Sequence, residues 1–247
     1  KDIAAFTRLG DAVDSADFLW TALTAKDVTP LAHGPHELWV TMQNTTKHVQ
    51  GVTAQSAEDA KVQIELAALI AGGKEELRKR PLFSVIVCPI APLTYEKGSI
   101  EAQVELAKAG IPVVSMSMTN GGVSSPLPVA GMLVNVNTEN LGSIVISQMA
   151  APGAPHIYCS ESGPMDMRTA RINYSSVENV FLTSGLAQIA KRYSLPSHVA
   201  DAGWGDDPEA CVSGVLTPAT QLTGIMGGSD LITGFGSIDS AKGISFE

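Results

Sequence analysis

Seven short apolar runs, each followed by a longer segment with helical periodicity, constrain the fold of this 247-residue chain. A repeated strand–helix–strand order predicts parallel strands joined by crossover connections. The runs are nearly continuous in apolar character, as at residues 84–88, which is typical of strands buried on both faces. The predicted strands are 18–23, 48–54, 82–90, 112–118, 155–160, 197–202 and 230–235.

Helical patterns fill the segments between these strands. Ser56 is a predicted N-cap, because its hydroxyl can accept an N–H of the first helical turn, and Gly72 with Gly73 is predicted to end that helix. Two aspartates before Pro208 predict another helix start. The predicted helices are 2–13, 56–72, 98–109, 137–149, 176–193 and 208–224.

The alternation favours an α/β fold of the (β/α)8 TIM-barrel type over an open doubly wound sheet. No G-x-G-x-x-G motif follows the first strand, which argues against a dinucleotide-binding fold. The chain opens on a helix and stops just after the seventh strand. We therefore expect residues 1–247 to form a single TIM-barrel domain that lacks one strand and one helix and is a fragment of a longer chain.

Charge and cysteine content exclude several classes of protein. The net charge is −9 without an extended Lys/Arg cluster, so nucleic-acid binding is not expected. Cys88, Cys159 and Cys211 are far apart and odd in number, which predicts neither a disulfide framework nor a metal site and favours the cytoplasm. No apolar run approaches the roughly 20 residues of a membrane span, and no signal peptide is visible.

The segment 154–168 places charged residues directly after a predicted strand. In parallel α/β proteins the carboxyl ends of strands line the ligand site, so Glu161, Asp166 and Arg168 are candidate substrate-binding residues. Arg168 could hold a substrate carboxylate bidentately or pair with Asp166. The two acids could equally be solvated or act in acid–base chemistry.

Aromatic and small residues near the other predicted strand ends complete the candidate pocket. Tyr158, Trp204 and Phe235 could form a cage around a methylated ammonium, although each could also be ordinary core. Tyr174 has the same two possibilities. The candidate lining residues are Met118, Asn120, Gly234 and Gly236.

Lysine and histidine are scarce at these predicted strand ends. A Schiff-base aldolase would need a lysine there, and a metal hydrolase would need histidines. His156 and His198 lie at strand starts, which favours a structural role, and no residue is predicted as a metal ligand or as a certain catalytic group.

Four segments together resemble the trimethylamine methyltransferase superfamily: residues 110–133, 139–141, 153–169 and 225–247. The resemblance extends from about residue 6 to residue 247. It implies a TIM barrel that moves a methyl group from a methylated amine to the Co(I) centre of a separate corrinoid protein. It further implies no tightly bound cofactor, docking of that corrinoid protein, and a homo-oligomer.

The resemblance also bears on the methyl donor. Family members active on trimethylamine carry pyrrolysine near the late glycine-rich strand end, where this sequence has standard residues at 233–240. This favours the branch typified by glycine betaine methyltransferase. A quaternary ammonium releases a neutral amine, so the protein need only position the donor and exclude water. The alternatives are a homologue that only binds a quaternary amine and an unrelated TIM-barrel lyase or hydrolase.

Overall fold

Strands and helices alternate in the computed structural model, which describes residues 1–247 except 22, 175, 201–210, 235–236, 239–242 and 245–247. The strands are β1 (Phe18–Trp20), β2 (His48–Thr53), β3 (Phe83–Val87), β4 (Val113–Ser117), β5 (Asn120–Gly121), β6 (His156–Ser160), β7 (Gly163–Asp166), β8 (Arg171–Ile172), β9 (Ser197–Ala200), β10 (Leu231–Thr233), β11 (Ser237–Ile238) and β12 (Gly243–Ile244). The helices are α1 (Asp2–Ala12), a 3₁₀ turn (Pro30–Ala32), α2 (His33–Met42), α3 (Ala57–Ala71), α4 (Lys74–Lys79), α5 (Lys97–Ala109), α6 (Val129–Ala150), α7 (Val177–Arg192) and α8 (Cys211–Gly227).

Seven of these strands form one sheet in the order β1-β2-β3-β4-β6-β9-β10. The pairs β1–β2, β2–β3, β6–β9 and β9–β10 are parallel. The order follows the chain without the reversal that defines a doubly wound sheet. The predicted α/β fold of the TIM-barrel type is therefore confirmed, and each of the seven predicted strands overlaps one strand of this sheet.

The chain divides into two compact units. Unit 1 contains Lys1–Val87, Glu96–Val114 and Val145–Pro155, and unit 2 contains Cys88–Tyr95, Ser115–Ile144 and His156–Glu247. Unit 1 has an apolar core between its strands and helices. Its buried residues are Leu38, Val49, Ala54, Ala60, Ile64, Ala67, Ala68, Leu77, Phe83, Val85, Val87, Ala102, Leu106, Ile111 and Val113.

The signals predicted for α3 are confirmed. The Ser56 hydroxyl accepts the Asp59 N–H at 3.1 Å, and Gly72 ends the helix with φ +87°, a left-handed conformation that glycine adopts without steric cost.

Unit 2 buries polar side chains beside apolar ones. One apolar cluster comprises Val136, Tyr158, Leu186 and Ala190, with partly buried neighbours such as Leu133 and Ile189. The buried polar residues of unit 2 include Ser115, Ser117, Thr119, Glu139, Asn140, Ser143, His156, Ser160, Glu161, Ser162, Ser176, Asn179, Thr183, Ser197, His198 and Thr220. Burial of this many polar groups requires internal hydrogen bonds, which are described below.

Three helices differ from the sequence-based expectation. Helix α4 was not predicted, because Gly72 and Gly73 predict the end of the helical segment. The predicted helix at 137–149 begins at Val129, because Pro128 stands directly before an apolar stretch that continues the helical pattern. Helix α2 was not predicted, since Gly34 and Pro35 in its first turn are turn-forming residues. Within the described part of the chain, no helix has the length and apolarity needed to cross a bilayer.

Candidate functional site

A cluster of hydroxyl groups joins the carboxyl ends of β4 and β6 in unit 2. The Thr119 N–H donates to the Ser162 Oγ at 2.9 Å, and the Ser160 hydroxyl lies 2.8 Å from the same oxygen. The Ser162 hydroxyl lies 3.2 Å from the Ser117 carbonyl oxygen. All four residues are buried. The cluster fixes the two strand ends to each other and supplies neutral polar groups that neither gain nor lose protons near neutral pH.

Glu161 follows this cluster at the end of β6. Its N–H donates to the Ser117 carbonyl at 3.0 Å, its carbonyl accepts the Tyr174 hydroxyl at 3.4 Å, and the residue is 8% exposed. Burial, together with the negative charge of Glu161, raises the pKa of the Cys88 thiol to about 12. Cys88 therefore stays a thiol at neutral pH, and a thiolate nucleophile is disfavoured.

Glu139 is a buried carboxylate of α6 that the sequence-based analysis did not single out as a site residue. Its Oε2 accepts the Ser117 hydroxyl at 2.6 Å, and its Oε1 accepts the Leu93 N–H at 2.9 Å and the Asn135 amide at 3.0 Å. Glu139 is the single charged residue in the sequence of α6, and a lone charge in a mostly apolar helix is the sequence signal that could have indicated its burial, although it does not identify the partners.

The structure places Asp166 and Arg168 in a hairpin between β7 and β8. The Arg168 N–H donates to Asp166 Oδ1 at 2.8 Å, and this bond is the main reason that the pKa of the Asp166 carboxyl is lowered. Arg168 is exposed. Asp166 also lines an open groove of about 520 Å³ with Leu127, Pro128, Val129, Pro164, Met165, Met167, Asn173, Ser176 and Glu178. A ligand role for both residues stays a prediction.

The other predicted site residues are distributed as follows. Tyr158 is fully buried, and its hydroxyl meets Asn137 Oδ1 on α6 at 3.2 Å rather than the strand-end cluster. Met118 is partly buried directly after β4. Asn120 has a buried Oδ1 without a hydrogen-bond partner. Gly234 follows β10 with φ +136°. Trp204, Phe235 and Gly236 lie outside the described residues.

The two histidines of this unit are held neutral inside the sheet. His198 Nε2 lies 2.9 Å from Thr233 Oγ1 and its Nδ1 lies 3.4 Å from Cys159 Sγ, while His156 Nε2 lies 2.9 Å from Ser115 Oγ. Burial lowers the pKa of His198 to about 3 and that of His156 to about 4. Across the described ranges, no group of three or more His, Cys, Asp or Glu side chains could hold a metal ion.

Comparison with known proteins gives a family match over most of the chain. The family model described as trimethylamine methyltransferase matches residues 1–230. The trimethylamine methyltransferase MttB of Desulfitobacterium hafniense (strain DSM 10664 / DCB-2) is 37% identical over 249 residues, covering 100% of this chain and 49% of the relative. That of Methanosarcina barkeri is 31% identical over 252 residues, covering 100% and 50%.

A relative with a different named substrate also matches. The glycine betaine methyltransferase of Desulfitobacterium hafniense (strain Y51) is 32% identical over 193 residues, covering 76% of this chain and 40% of the relative. The chain spans about half the length of the curated relatives it matches.

Among solved structures, the chain is similar to dihydropteroate synthase from Stenotrophomonas maltophilia. The TM-score is 0.56 at 14% identity, over 93% of this chain and 79% of that one. At this identity the likeness concerns the fold alone, and it agrees with the strand order described above.

Proposed function

We propose, from the premise that this chain belongs to the trimethylamine methyltransferase family, that it moves a methyl group from a quaternary amine such as a betaine to the Co(I) centre of a separate corrinoid protein. Family membership supports an enzyme of the methyltransferase type. The relatives include proteins named for trimethylamine and for glycine betaine, so family membership does not select the methylated amine. The chemistry of the site is the basis for selecting a quaternary amine.

The observation that carries the proposal is the character of the strand-end cluster in unit 2. Glu161 is a nearly buried acidic residue that directly follows the hydroxyl cluster in the chain, and its charge acts on a protonated thiol, a setting that favours a cation without offering a strong base. His156 and His198 are neutral and bonded within the sheet. This chemistry supports binding of an ammonium and disfavours a reaction that begins with proton abstraction.

The proposed step needs no proton transfer. The C–N bond of the quaternary ammonium breaks, its electron pair remains on nitrogen, and a neutral tertiary amine leaves. Co(I) of the acceptor supplies both electrons of the new carbon–cobalt bond. In this step the corrinoid is the methyl acceptor, and it is therefore a substrate that a partner protein carries. The work left to this chain is to hold the donor in line with the acceptor and to exclude water.

The remaining predicted residues have supporting parts in this proposal. Arg168 would bind the carboxylate of a betaine, and Trp204 and Phe235 would face the ammonium as cage residues. Met118, Asn120, Gly234 and Gly236 would line the pocket. We further propose that the protein works in the cytoplasm as a homo-oligomer.

A methyl-transfer assay tests the function directly. The full chain is incubated with Co(I) cobalamin or with the cognate corrinoid protein, and with glycine betaine, other betaines, choline or trimethylamine. The spectral change from Co(I) to methylated cobalt is followed. Methylation from at least one quaternary donor is expected. A protein that binds a betaine without methylating either acceptor would be a binding homologue, and the proposal would fail.

The Glu161→Gln variant tests the site. Loss of the buried charge is expected to weaken binding of a quaternary ammonium by about 10-fold or more, because a nearby opposite charge in a poorly solvated site contributes over 1 kcal/mol. Asp166→Asn is compared in parallel, and Glu101→Gln on the exposed face of α5 is the control. If Asp166→Asn weakens binding and Glu161→Gln does not, the site is the open groove rather than the strand-end cluster.

A further inference from the structure

We infer that Glu139 is a positioning residue that fixes the loop Cys88–Tyr95 and the end of β4 in one arrangement at the candidate site. This inference rests on the proposed function, since the reaction is what the arrangement would serve. It assigns a role to a buried charge that contacts no predicted substrate group.

The carboxylate of Glu139 is fully buried and bonded on both oxygens. Oε1 accepts the Leu93 N–H of the loop and the Asn135 amide one helical turn away, while Oε2 accepts the Ser117 hydroxyl at the end of β4. A buried charge is costly unless hydrogen bonds compensate for lost hydration. Its three partners come from a loop, a strand end and its own helix, so the charge links three elements.

A second contact on the same face of α6 holds the loop further along. The Tyr95 hydroxyl donates to the Glu139 carbonyl at 2.5 Å. Tyr95 reaches this carbonyl because residue 142 is glycine: a Cβ there would collide with the tyrosine hydroxyl. Asn135, Glu139 and Gly142 are spaced by four and three residues, so they share one helical face. Glycine inside a helix lowers the stability of the helix by about 1 kcal/mol relative to alanine. The contact with Tyr95 explains why position 142 is nevertheless a glycine.

The loop that is held has a defined but exposed shape. Ile90 and Thr94 pair as an antiparallel bridge with N–O distances of 2.7 and 3.0 Å, and Leu93 has φ +56°. A left-handed leucine is unfavourable on its own, and the bond from its N–H to Glu139 helps to hold it there. Ile90 and Leu93 are each more than half exposed, so apolar burial contributes little to holding this turn.

Glu139 bears on the candidate site because of the positions of its hydrogen-bond partners. The loop starts at Cys88, and the charge of Glu161 contributes to the raised pKa of the Cys88 thiol. Ser117 is the residue whose carbonyl accepts the N–H of Glu161 and the hydroxyl of Ser162. Glu139 thus holds both the strand end that positions Glu161 and the loop that follows Cys88. Losing Glu139 would loosen both at once.

Amide hydrogen exchange and kinetics on the full chain test this inference. Glu139→Gln retains an acceptor for Leu93 and can donate to the Ser117 hydroxyl oxygen, so it serves as the rescue variant. Glu139→Met has similar length and removes every polar contact of the carboxylate. Gly142→Ala displaces Tyr95 independently. Glu101→Gln, an exposed helix glutamate, is the control.

The expected result is a local loss of protection with a kinetic consequence. Exchange in peptides covering residues 89–95 should quicken about 10-fold or more in Glu139→Met and in Gly142→Ala, and about 3-fold or less in Glu139→Gln, as expected for loss or retention of buried hydrogen bonds. Below the Tm of each variant, Glu139→Met should raise KM for the donor more than it lowers kcat, because the carboxylate acts by placing Glu161.

Two outcomes would overturn the inference. Unchanged protection of residues 89–95 in Glu139→Met would show that the carboxylate does not hold the loop. Quickened exchange with wild-type kcat and KM would show that the loop arrangement does not serve the reaction. Absence of methyl transfer by the wild-type protein would instead reject the proposed function, while the exchange measurement would still test whether Glu139 holds the loop.

Discussion

Helices α3 and α6 both pack on strands, yet they differ in the share of polar side chains that they bury. Helix α3 in unit 1 buries Ala60, Ile64 and Ala67 within an apolar core, and Gln63 is its buried polar side chain. The part of α6 in unit 2 buries Met132 and Val136, but also the polar Glu139, Asn140 and Ser143. Apolar contacts tolerate exchange of shape and volume, whereas a buried polar group requires a partner at a defined place. We therefore expect α3 to contribute mainly to stability, and α6 to hold the groups that it contacts at defined positions.

The strands β3 and β4 also differ in the contacts that their buried side chains make. In β3 the residues Phe83, Val85 and Val87 belong to the apolar core of unit 1. In β4 the hydroxyls of Ser115 and Ser117 bond to Asn140 and Glu139 of α6. Because the polar contacts occur next to the strand ends that carry the candidate site, we attribute to them the placement of those strand ends in addition to a contribution to stability. Three predictions test this difference.

The largest effect is expected in the apolar core of unit 1. Leu106→Ala on α5 removes a fully buried side chain and should lower the free energy of unfolding by about 2–5 kcal/mol through lost burial and the cavity left behind. Leu69→Ala on α3 is the control, since Leu69 is 85% exposed and its loss should change stability by under about 0.5 kcal/mol. Denaturant unfolding of both variants measures this, and equal losses would contradict an apolar core at α5.

A second variant asks whether apolar bulk can replace a polar contact in unit 2. Asn140 accepts the Ser115 hydroxyl and the Cys159 N–H, and its amide donates to the Cys159 carbonyl. Asn140→Leu should lower the free energy of unfolding by about 1–3 kcal/mol despite the greater hydrophobicity of leucine, because buried partners lose their bonds.

The exposed Thr138 on the same helix provides the matched control for Asn140. Thr138→Leu should leave the stability nearly unchanged. If Asn140→Leu were as stable as the wild type by denaturant unfolding, α6 would behave like α3, and the contrast between the two helices would not hold.

The apolar half of this comparison was accessible from the sequence, and the polar half was not. Apolar runs and helix caps depend on neighbouring residues, so the seven strands and the Ser56 cap could be predicted from local pattern. Two of the three partners of the Glu139 carboxylate lie 22 and 46 residues away in sequence. No local pattern encodes such pairs. Glu161 could be proposed because it follows a strand directly, and the hairpin position of Asp166 could not.

The pH dependence of stability provides the last test. Burial lowers the pKa of His198 to about 3 and that of His156 to about 4, against 6.5 for the free side chain. Below pH 6.5 the unfolded chain therefore binds protons that the folded chain does not, so stability falls as the pH decreases toward 4. The slope should be about 1.4 kcal/mol per pH unit for each such histidine. Denaturant unfolding of the wild type and of His198→Gln, from about pH 4.5, roughly two units below the free pKa, to about pH 7.5, roughly one unit above it, should show a shallower slope in the variant. The same measurement on His48→Gln provides the comparison with unit 1, because burial also lowers the pKa of His48. Equal slopes in the wild type and in His198→Gln would mean that His198 can be protonated in the folded protein, and the interior of unit 2 would then be more hydrated than its contacts indicate.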